Sequence, residues 1–255
     1  MKRMKSRIML FVGIFCLQGI MAQESTNFKG KKLILEAVDG VKITADFYEI
    51  EEKNAPIILL FHQANYSRGE YRSIAPTLNQ MGFHCLAIDQ RSGKTINGVE
   101  NETHKEAVKL KKGTLYPDAI PDLEAALVYA KSELSAEKII IWGSSYSSSL
   151  VFYLAAKHPE DIAAILSFSP GEYFTVEDKT VRLFSAKVKC PVFITSAKKE
   201  KGSWQAIYDA IPSEKTFFLP EKNGFHGSKA LWPSREGSES YWMAVDEFLK
   251  QFRNN

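Results

Sequence analysis

Lys138-Ile139-Ile140-Ile141-Trp142-Gly143-Ser144-Ser145-Tyr146-Ser147 is the stretch of sequence that decides the fold. Its first five residues form a short apolar run, which is typical of a strand that is buried on both faces of a sheet. The residues from 146 to 157 have the pattern of a helix, so Ser145 lies at a sharp turn from strand to helix. Such a turn strains the backbone and leaves room only for small residues two positions away. Gly143 and Ser147 are both small.

Strand-like and helix-like patterns alternate along the rest of the chain. Two β-prone segments, 31–38 and 41–50, meet at Asp39-Gly40 and predict an antiparallel hairpin. Further strands are predicted at 55–62, 83–89, 138–142, 162–169, 190–196 and 215–219, and helices at 70–81, 117–134, 146–157, 175–187, 203–211 and 240–252, with a polar loop at 90–115. This order predicts an α/β fold with a mostly parallel central sheet, an N-terminal antiparallel hairpin and helices on both faces.

The composition is that of an ordinary globular protein with enough length for one large core. The chain has 255 residues, of which 45% are hydrophobic and 25% are charged. These values exclude a disordered tail, a collagen-like fibre and a disulfide miniprotein. One domain is the simplest organisation at this length, since no linker, repeat or low-complexity tract interrupts the chain.

The formal net charge of +3 comes from the N-terminus. Lys2, Arg3, Lys5 and Arg7 stand there without an acid, and removing these four from the 33 basic residues leaves 29 against 30 acidic residues. The remaining lysine clusters lack the interleaved aromatic residues of a base-stacking surface. We therefore expect no binding of nucleic acid.

The first 22 residues have the layout of a signal peptide. After the basic residues comes an apolar run at 8–20, which is shorter than the ~17–25 residues that a spanning helix needs. Ala22 is a small residue that suits cleavage, so we expect a mature domain at 23–255 that is periplasmic or secreted. An uncleaved anchor is the alternative, and the bulky Phe15 disfavours lipidation of Cys16. No other apolar run of 18 residues exists, so no stable membrane span is expected after cleavage.

Cleavage would leave two cysteines, Cys85 and Cys190, each within a predicted buried strand. Two cysteines do not make a disulfide framework, so we predict small core residues, although an oxidising compartment would permit one bridge. The histidines lack the spacing of a zinc-binding helix, and neither a glycine-rich phosphate loop nor a dinucleotide fingerprint is present. The sequence therefore predicts neither a metal nor a cofactor.

The pentapeptide from Gly143 to Ser147 resembles the nucleophile elbow G-x-S-x-G of the α/β-hydrolase family, with a serine in place of the second glycine. The resemblance extends over essentially the whole mature chain. It implies that Ser145 is a catalytic nucleophile. Ser144 is the rival, but its choice would put two bulky residues, Trp142 and Tyr146, at the positions that must be small.

A serine hydroxyl needs a base within hydrogen-bond reach and a carboxylate that orients the base. His226 follows the last predicted strand in a loop with glycines on both sides, where members of the family carry their catalytic histidine. The resemblance nominates Glu200 as the acid, because it ends the segment 190–200 (CPVFITSAKKE). Glu172 is the alternative, since it follows the preceding strand at a place where some members carry the acid.

Two backbone N–H groups are expected to hold the oxyanion that forms when the serine attacks. The N–H of Tyr146 is free at the start of the predicted helix and is one candidate. The second donor is expected in His62-Gln63-Ala64, where relatives commonly have His-Gly. Ala64 is the first choice there, and Gln63 is the alternative.

The sequence thus predicts a serine hydrolase that cleaves small or medium carboxylic esters through an acyl-enzyme on Ser145. A catalytically silent ligand-binding protein of the same fold is the alternative, because Gln63, Ser92 and Ser147 depart from the family pattern. A peptidase or amidase is a further alternative, but no large cap domain is present to filter peptides. The expected partner is a small-molecule ester, and no oligomeric state is specified. Aromatic residues near predicted loop ends could line a substrate pocket, with core packing as the other interpretation: Tyr173, Phe174, Trp204, Phe225 and Trp232.

Overall fold

An eight-stranded sheet forms the centre of the protein in the computed structural model, which describes residues 30–254. The strands are β1 Lys31–Glu36, β2 Lys42–Tyr48, β3 Ile57–Phe61, β4 His84–Ile88, β5 Ile139–Ser144, β6 Ala164–Phe168, β7 Val192–Thr195 and β8 Lys215–Phe218, in the order β1-β2-β4-β3-β5-β6-β7-β8. β1 and β2 pair antiparallel, and the strands from β3 to β8 are parallel. The predicted fold class is confirmed. The predicted signal peptide at 1–22 lies outside the described residues.

Seven α-helices flank the sheet within the described range: α1 Ile74–Gln80, α2 Glu102–Lys109, α3 Ile120–Ser132, α4 Tyr146–Lys157, α5 Val181–Ser185, α6 Lys201–Ala210 and α7 Ser238–Leu249. Side chains of α2 to α6 pack against one face of the sheet, and those of α1 and α7 pack against the other. Alternate residues of β3 belong to the two cores, as its continuous apolar sequence requires. None of the helices in residues 30–254 is long and apolar enough to cross a membrane.

The N-terminal hairpin forms around Asp39-Gly40 as predicted. Gly40 has a φ of +84°, a left-handed conformation that glycine adopts without steric cost. Its N–H donates to Ala37 O over 2.8 Å, and the N–H of Ala37 donates to Val41 O over 2.9 Å. These two bonds close the turn and set the register of β1 against β2.

The helix predicted at 70–81 is wrong at its start. Residues Arg68–Tyr71 form a 3-10 turn, and α1 begins only at Ile74, after two residues that belong to neither element. The Ser67 hydroxyl caps this turn by accepting the N–H of Gly69 over 3.2 Å. The interruption directs Glu70 into the interior, where its side chain is fully buried.

Two other predictions are wrong in extent. The loop predicted at 90–115 contains α2. Only Thr103 and Ala107 are buried in this helix, so its sequence is mostly polar, as that of a loop is. The helix predicted at 175–187 is reduced to α5, since residues 176–179 form a turn that paired backbone hydrogen bonds close. The helix predicted at 146–157 has those ends in the structure, and the remaining predicted elements are present with shifted ends.

Both cysteines of the described chain are buried and free, as a core role requires. Cys85 lies in β4, and Cys190 lies just before β7. Burial raises the pKa of the Cys190 thiol to about 12 and that of Cys85 well above its ordinary value. Both side chains therefore act as small apolar groups at neutral pH.

Candidate active site

Ser145 lies between β5 and α4, at the edge of the sheet where the parallel strands end. Its φ of +58° and ψ of −122° form a combination that residues with a Cβ rarely adopt. The N–H of Ser145 donates to Phe168 O over 2.8 Å, which anchors the strained turn to β6. The side chain remains partly exposed, while the residues on either side of it are buried.

The turn requires the glycine at 143. A Cβ on Gly143 would lie 2.3 Å from Ser147 O and 2.5 Å from Ser148 Cα, closer than real contacts allow. Ser147 occupies the position of the second glycine and uses its hydroxyl twice. It donates to His62 O over 2.6 Å and accepts the side-chain N–H of Gln90 over 2.8 Å. The hydroxyl that Ser147 adds in place of the family's glycine is therefore satisfied by hydrogen bonds to two neighbouring loops.

Three of the predicted residues form a hydrogen-bonded chain. His226 Nε2 is 2.8 Å from Ser145 Oγ, and His226 Nδ1 is 2.8 Å from Glu200 Oε1. An ionised carboxylate only accepts hydrogen bonds, so Nδ1 carries the ring proton and Nε2 accepts the Ser145 hydroxyl. The side chains of His226 and Glu200 are 33% and 20% exposed, so the chain lies open to solvent. This geometry suits removal of the serine proton by the imidazole.

Glu200 reaches the histidine from the end of a 3-10 turn, Lys198–Glu200, which follows β7. Glu200 Oε2 accepts the Ser169 hydroxyl over 2.7 Å and the N–H of Ala197 over 3.2 Å. Burial opposes ionisation of this carboxyl, but the hydrogen bonds from His226 and Ser169 outweigh burial and lower the pKa of Glu200.

Glu172, the alternative acid, has other partners. Its two carboxylate oxygens accept the N–H of Val181 over 2.6 Å and the N–H of Arg182 over 2.9 Å. A carboxylate in this position satisfies free N–H groups at the start of a helix, here α5. The structure therefore pairs His226 with Glu200 and not with Glu172.

Three backbone N–H groups were predicted as candidate oxyanion donors, those of Tyr146, Ala64 and Gln63. In the described part of the chain, neither the N–H of Tyr146 nor that of Ala64 has a hydrogen-bond acceptor. The N–H of Gln63, in contrast, donates to Glu70 Oε2 over 2.7 Å. Gln63 as an alternative donor is therefore wrong, because its N–H already has an acceptor.

His62 fixes the loop that carries Ala64. Its ring is fully buried, with Nδ1 2.8 Å from Gln63 O and Nε2 accepting the N–H of Gln90 over 2.8 Å. Since the Gln90 N–H must donate, the ring proton is on Nδ1 and points to Gln63 O. Burial lowers the pKa of His62 to about 4, so the ring stays neutral and cannot exchange these roles at neutral pH.

Two buried arginines hold the loop that follows β4. Arg68 Nη1 lies 2.7 Å from Asp89 Oδ2. Arg91 lies between two carboxylates, with contacts of 2.7 Å to both Asp122 and Asp39. Ion pairs of this kind strongly penalise removal of one partner, so they fix the loop in a single position beside His62 and α2.

Two tyrosines lie near the serine turn, one in contact with Ser145 and the other with Tyr146. Tyr173, a predicted pocket residue, is 39% exposed. Burial and the charge of Glu200 raise the pKa of Tyr173 to about 12, while its interaction with the Ser145 hydroxyl acts against the rise. Tyr116, which the sequence analysis did not single out, stacks on Tyr146 with ring centroids 4.6 Å apart. Together they present aromatic surface at the site.

The other predicted pocket aromatics lie in the core or beside the histidine loop. Trp204 as a pocket residue is wrong, because the side chain is fully buried in α6. Phe174 packs partly buried against the same core. Phe225 and Trp232 flank the loop of the histidine, and the Arg235 guanidinium lies 4.9 Å and 5.6 Å from their ring centroids.

Sequence analysis missed two residues that organise the site. Ser169 donates to Glu200 and accepts the N–H of Gly227 over 2.9 Å, so it links the acid to the histidine loop. Its place just after β6 was a usable signal. Glu70 gave no signal, because it was predicted as the first residue of the helix at 70–81. It accepts the hydroxyl of Ser144, the rival nucleophile, which is fully buried and faces away from the opening.

A parallel sheet that ends in a strained serine turn and a histidine loop is the architecture of a hydrolase of the α/β class. A family model described as alpha/beta hydrolase fold matches residues 56–188, just over half of the chain. The chain therefore belongs to the α/β-hydrolase family.

Solved structures of several enzymes are similar to this chain. The esterase Pf2001 of Pyrococcus furiosus has a TM-score of 0.68 and 18% identity, with 88% of this chain and 93% of that chain covered. Dienelactone hydrolase of Anabaena variabilis has a TM-score of 0.69 and 15% identity, covering 89% and 100%. Est1E of Butyrivibrio proteoclasticus has a TM-score of 0.65 and 16% identity, covering 87% and 98%. At such identities the likeness shows the fold alone. No curated protein matches the sequence significantly.

Proposed function

We propose that the protein is a serine hydrolase that cleaves carboxylic esters through an acyl-enzyme on Ser145. The observation that carries the proposal is the chain from Ser145 through His226 to Glu200, with two contacts of 2.8 Å. Membership of the α/β-hydrolase family supports hydrolysis. The esterases and the dienelactone hydrolase among the similar structures favour esters as the substrate class.

In the acylation step, Ser145 Oγ attacks the ester carbonyl carbon while its proton moves to His226 Nε2. The carboxylate of Glu200 stabilises the imidazolium that forms. The N–H groups of Tyr146 and Ala64 hold the negative charge that develops on the carbonyl oxygen. The bond from carbon to the alcohol oxygen then breaks, and the alcohol leaves with the proton from His226.

In the deacylation step, a water molecule transfers a proton to His226 Nε2 and attacks the acyl carbon. The bond from that carbon to Ser145 Oγ breaks, and Oγ takes the proton back from the imidazole. The carboxylic acid leaves, and the enzyme returns to its starting state.

Aromatic surface from Tyr116 and Tyr173 favours esters with an apolar or aromatic group close to the carbonyl. One of the similar structures is of Est1E with ferulic acid bound, with 15% identity to this chain and a TM-score of 0.66. Aryl esters therefore belong in the first substrate panel, together with acyl chains of increasing length, acetylated sugars and the matching anilides. Faster cleavage of anilides than of esters would favour an amidase.

Labelling with a fluorophosphonate probe tests the nucleophile. We expect the wild type to be labelled and Ser145→Ala to remain unlabelled. In Ser144→Ala, mass spectrometry of the digested protein should find the label on Ser145. A folded wild type that takes no label would instead favour a ligand-binding protein without catalysis.

We also propose export with removal of residues 1–22, which the four basic residues and the apolar run at 8–20 support. When the full chain is expressed in a bacterial host, the mature protein is expected to begin at Gln23. Intact mass and N-terminal sequencing check this expectation, and a purified protein that retains Met1 would contradict it.

A further inference from the structure

Glu70 is a fully buried carboxyl group that the proposed mechanism does not use. Its Oε2 accepts the N–H of Gln63 over 2.7 Å, and its Oε1 accepts the hydroxyl of Ser144 over 2.8 Å. Both donors are neutral groups. Burying a carboxyl without a bonded cation is costly, so its place beneath the site calls for a role beyond packing.

The hydrogen bonds of Glu70 continue into the loop of the catalytic histidine. Ser144 Oγ donates to Glu70 and also accepts the N–H of Ser228 over 2.8 Å. The indole N–H of Trp232 donates to Glu70 O over 2.9 Å. A Cβ on Gly227 would lie only 2.6 Å from Ser144 Oγ, which shows how closely this loop packs on the network.

We infer that Glu70 is a positioning residue whose ionised carboxylate ties the loop of the oxyanion donor Ala64 to the nucleophile elbow and to the loop of His226. The residues that it touches are immediate neighbours of the reacting groups: Gln63 precedes Ala64, and Ser144 precedes Ser145. The inference rests on the proposed ester hydrolysis. It adds a group that sets where the oxyanion donor lies.

The ionised form fits this network better than the neutral form does. A carboxylate accepts both hydrogen bonds, whereas a proton on either oxygen would face a donor, Gln63 N–H or Ser144 O–H. Ser144 cannot simply reverse its hydrogen bond, because its oxygen already accepts Ser228 N–H and its own proton would have to leave Glu70. Protonation of Glu70 is therefore expected to loosen the connection between the two loops.

Titration of Glu70 falls in an accessible range. Burial raises its pKa to about 7, while hydrogen bonds from Gln63 and Ser144 and the charges of Lys229 and His226 act against the rise. The other titratable groups that face it are Tyr66 and Tyr71 of its own segment, and both stay neutral at this pH because burial raises the pKa of each phenol. As pH rises through the pKa of Glu70, the carboxylate forms and the oxyanion donor takes its working position.

Glu70→Gln tests the role in catalysis, with the exposed Glu51→Gln as its matched control. Glutamine has nearly the same shape but offers one acceptor instead of two. We expect kcat to fall about 10- to 100-fold with KM little changed, since a misplaced oxyanion donor is felt mainly in the transition state. The acid limb of log kcat against pH is expected to become shallower by one proton, because the side chain at position 70 no longer titrates. A Glu70→Gln enzyme with the wild-type kcat and the same acid limb would overturn the inference.

A second measurement needs neither a substrate nor a variant that folds. The backbone amide proton of Gln63 donates to Glu70, so its NMR shift in the wild type is expected to move with a midpoint near pH 7. In Glu70→Gln, where that variant folds, the movement is expected to be absent. A Gln63 amide shift that stays flat over the whole pH range in which the wild type is folded would overturn the inference. If the wild type cleaves no ester, the proposed function fails, and the amide titration still tests Glu70 separately.

Discussion

Ser145 has a backbone conformation that costs free energy for any residue with a Cβ. Its φ of +58° and ψ of −122° lie in a sparsely populated region, at a cost of about 1–3 kcal/mol. The hydrogen bond to Phe168 O and the helix that starts at Tyr146 hold the residue in that conformation. The strained conformation thus lowers the stability of the fold, and it places the Ser145 hydroxyl where the strands end.

Replacement of Ser145 by glycine is therefore expected to stabilise the fold while it abolishes hydrolysis. Glycine adopts a positive φ freely, so Ser145→Gly should unfold at a free energy about 1 kcal/mol higher than Ser145→Ala, which keeps the Cβ and the strain. Urea denaturation of the two inactive variants measures the difference. Equal stability of the two variants would show that the turn is not strained.

The two candidate acids are separated by a matched pair of substitutions. Glu200→Gln keeps the shape but removes the charge that orients and stabilises the imidazole of His226, so kcat is expected to fall about 10³- to 10⁴-fold. Glu172→Gln alters only the start of α5 and is expected to keep the wild-type kcat within about twofold. Steady-state kinetics on one aryl ester decides the matter, and the reverse order of effects would assign the acid to Glu172.

At the scale of elements, the connection from β5 to α4 depends on close backbone approach. A methyl group on Gly143 would lie 2.3 Å from Ser147 O, a backbone atom that the first turn of α4 fixes. Gly143→Ala is therefore expected to lower the free energy of unfolding by about 2 kcal/mol or more and to stop labelling of Ser145.

Gly202 provides the control for that substitution. It lies in the first turn of α6, and nothing stands within 4 Å of a Cβ built there. Gly202→Ala is expected to leave labelling unchanged and to raise stability by up to about 1 kcal/mol, because alanine favours the helix. Similar losses for both variants in thermal unfolding would argue against close packing at Gly143.

The elbow was predictable from the sequence because its signals are local. A buried apolar run, a glycine two residues before Ser145 and a helical pattern after it lie within a few positions of one another. The contact from Ser144 to Glu70 spans 74 positions and follows no periodicity, so no pattern indicated it. α2 escaped for a related reason, since its polar surface outweighs the two buried residues that hold it to the sheet.

At the scale of the whole molecule, the sheet assembles a site from segments that the sequence keeps far apart. Residues after five strands contribute: His62 after β3, Ser145 after β5, Ser169 after β6, Glu200 after β7 and His226 after β8. The sequence predicted that these segments meet, because parallel strands end at one edge. It nominated Glu200 through the family resemblance and kept Glu172 as the alternative, since the choice depends on which loop turns back toward the histidine.

The free energy of unfolding of the whole fold is expected to depend on pH through the titration of Glu70. Its ordinary pKa of 4.5 in the unfolded chain rises to about 7 in the fold. The contribution to stability is thus fully present below pH 4.5 and is lost as pH rises to about 7, by up to about 3 kcal/mol. The free energy of unfolding of the wild type, measured by urea, should fall across this window relative to that of Glu70→Gln. Parallel curves for the two proteins would contradict a raised pKa.

The burial of Cys85 in β4 and of Cys190 beside β7 makes the two thiols probes of local opening of the fold. Neither thiol forms an appreciable thiolate at neutral pH, Cys85 is fully buried and Cys190 is only 9% exposed, so iodoacetamide should leave ester cleavage untouched in the native protein. Carbamidomethylation can proceed only when the sheet opens around these strands. Its rate would therefore report how often the core opens locally, with one thiol in the third strand of the sheet and the other beside the seventh.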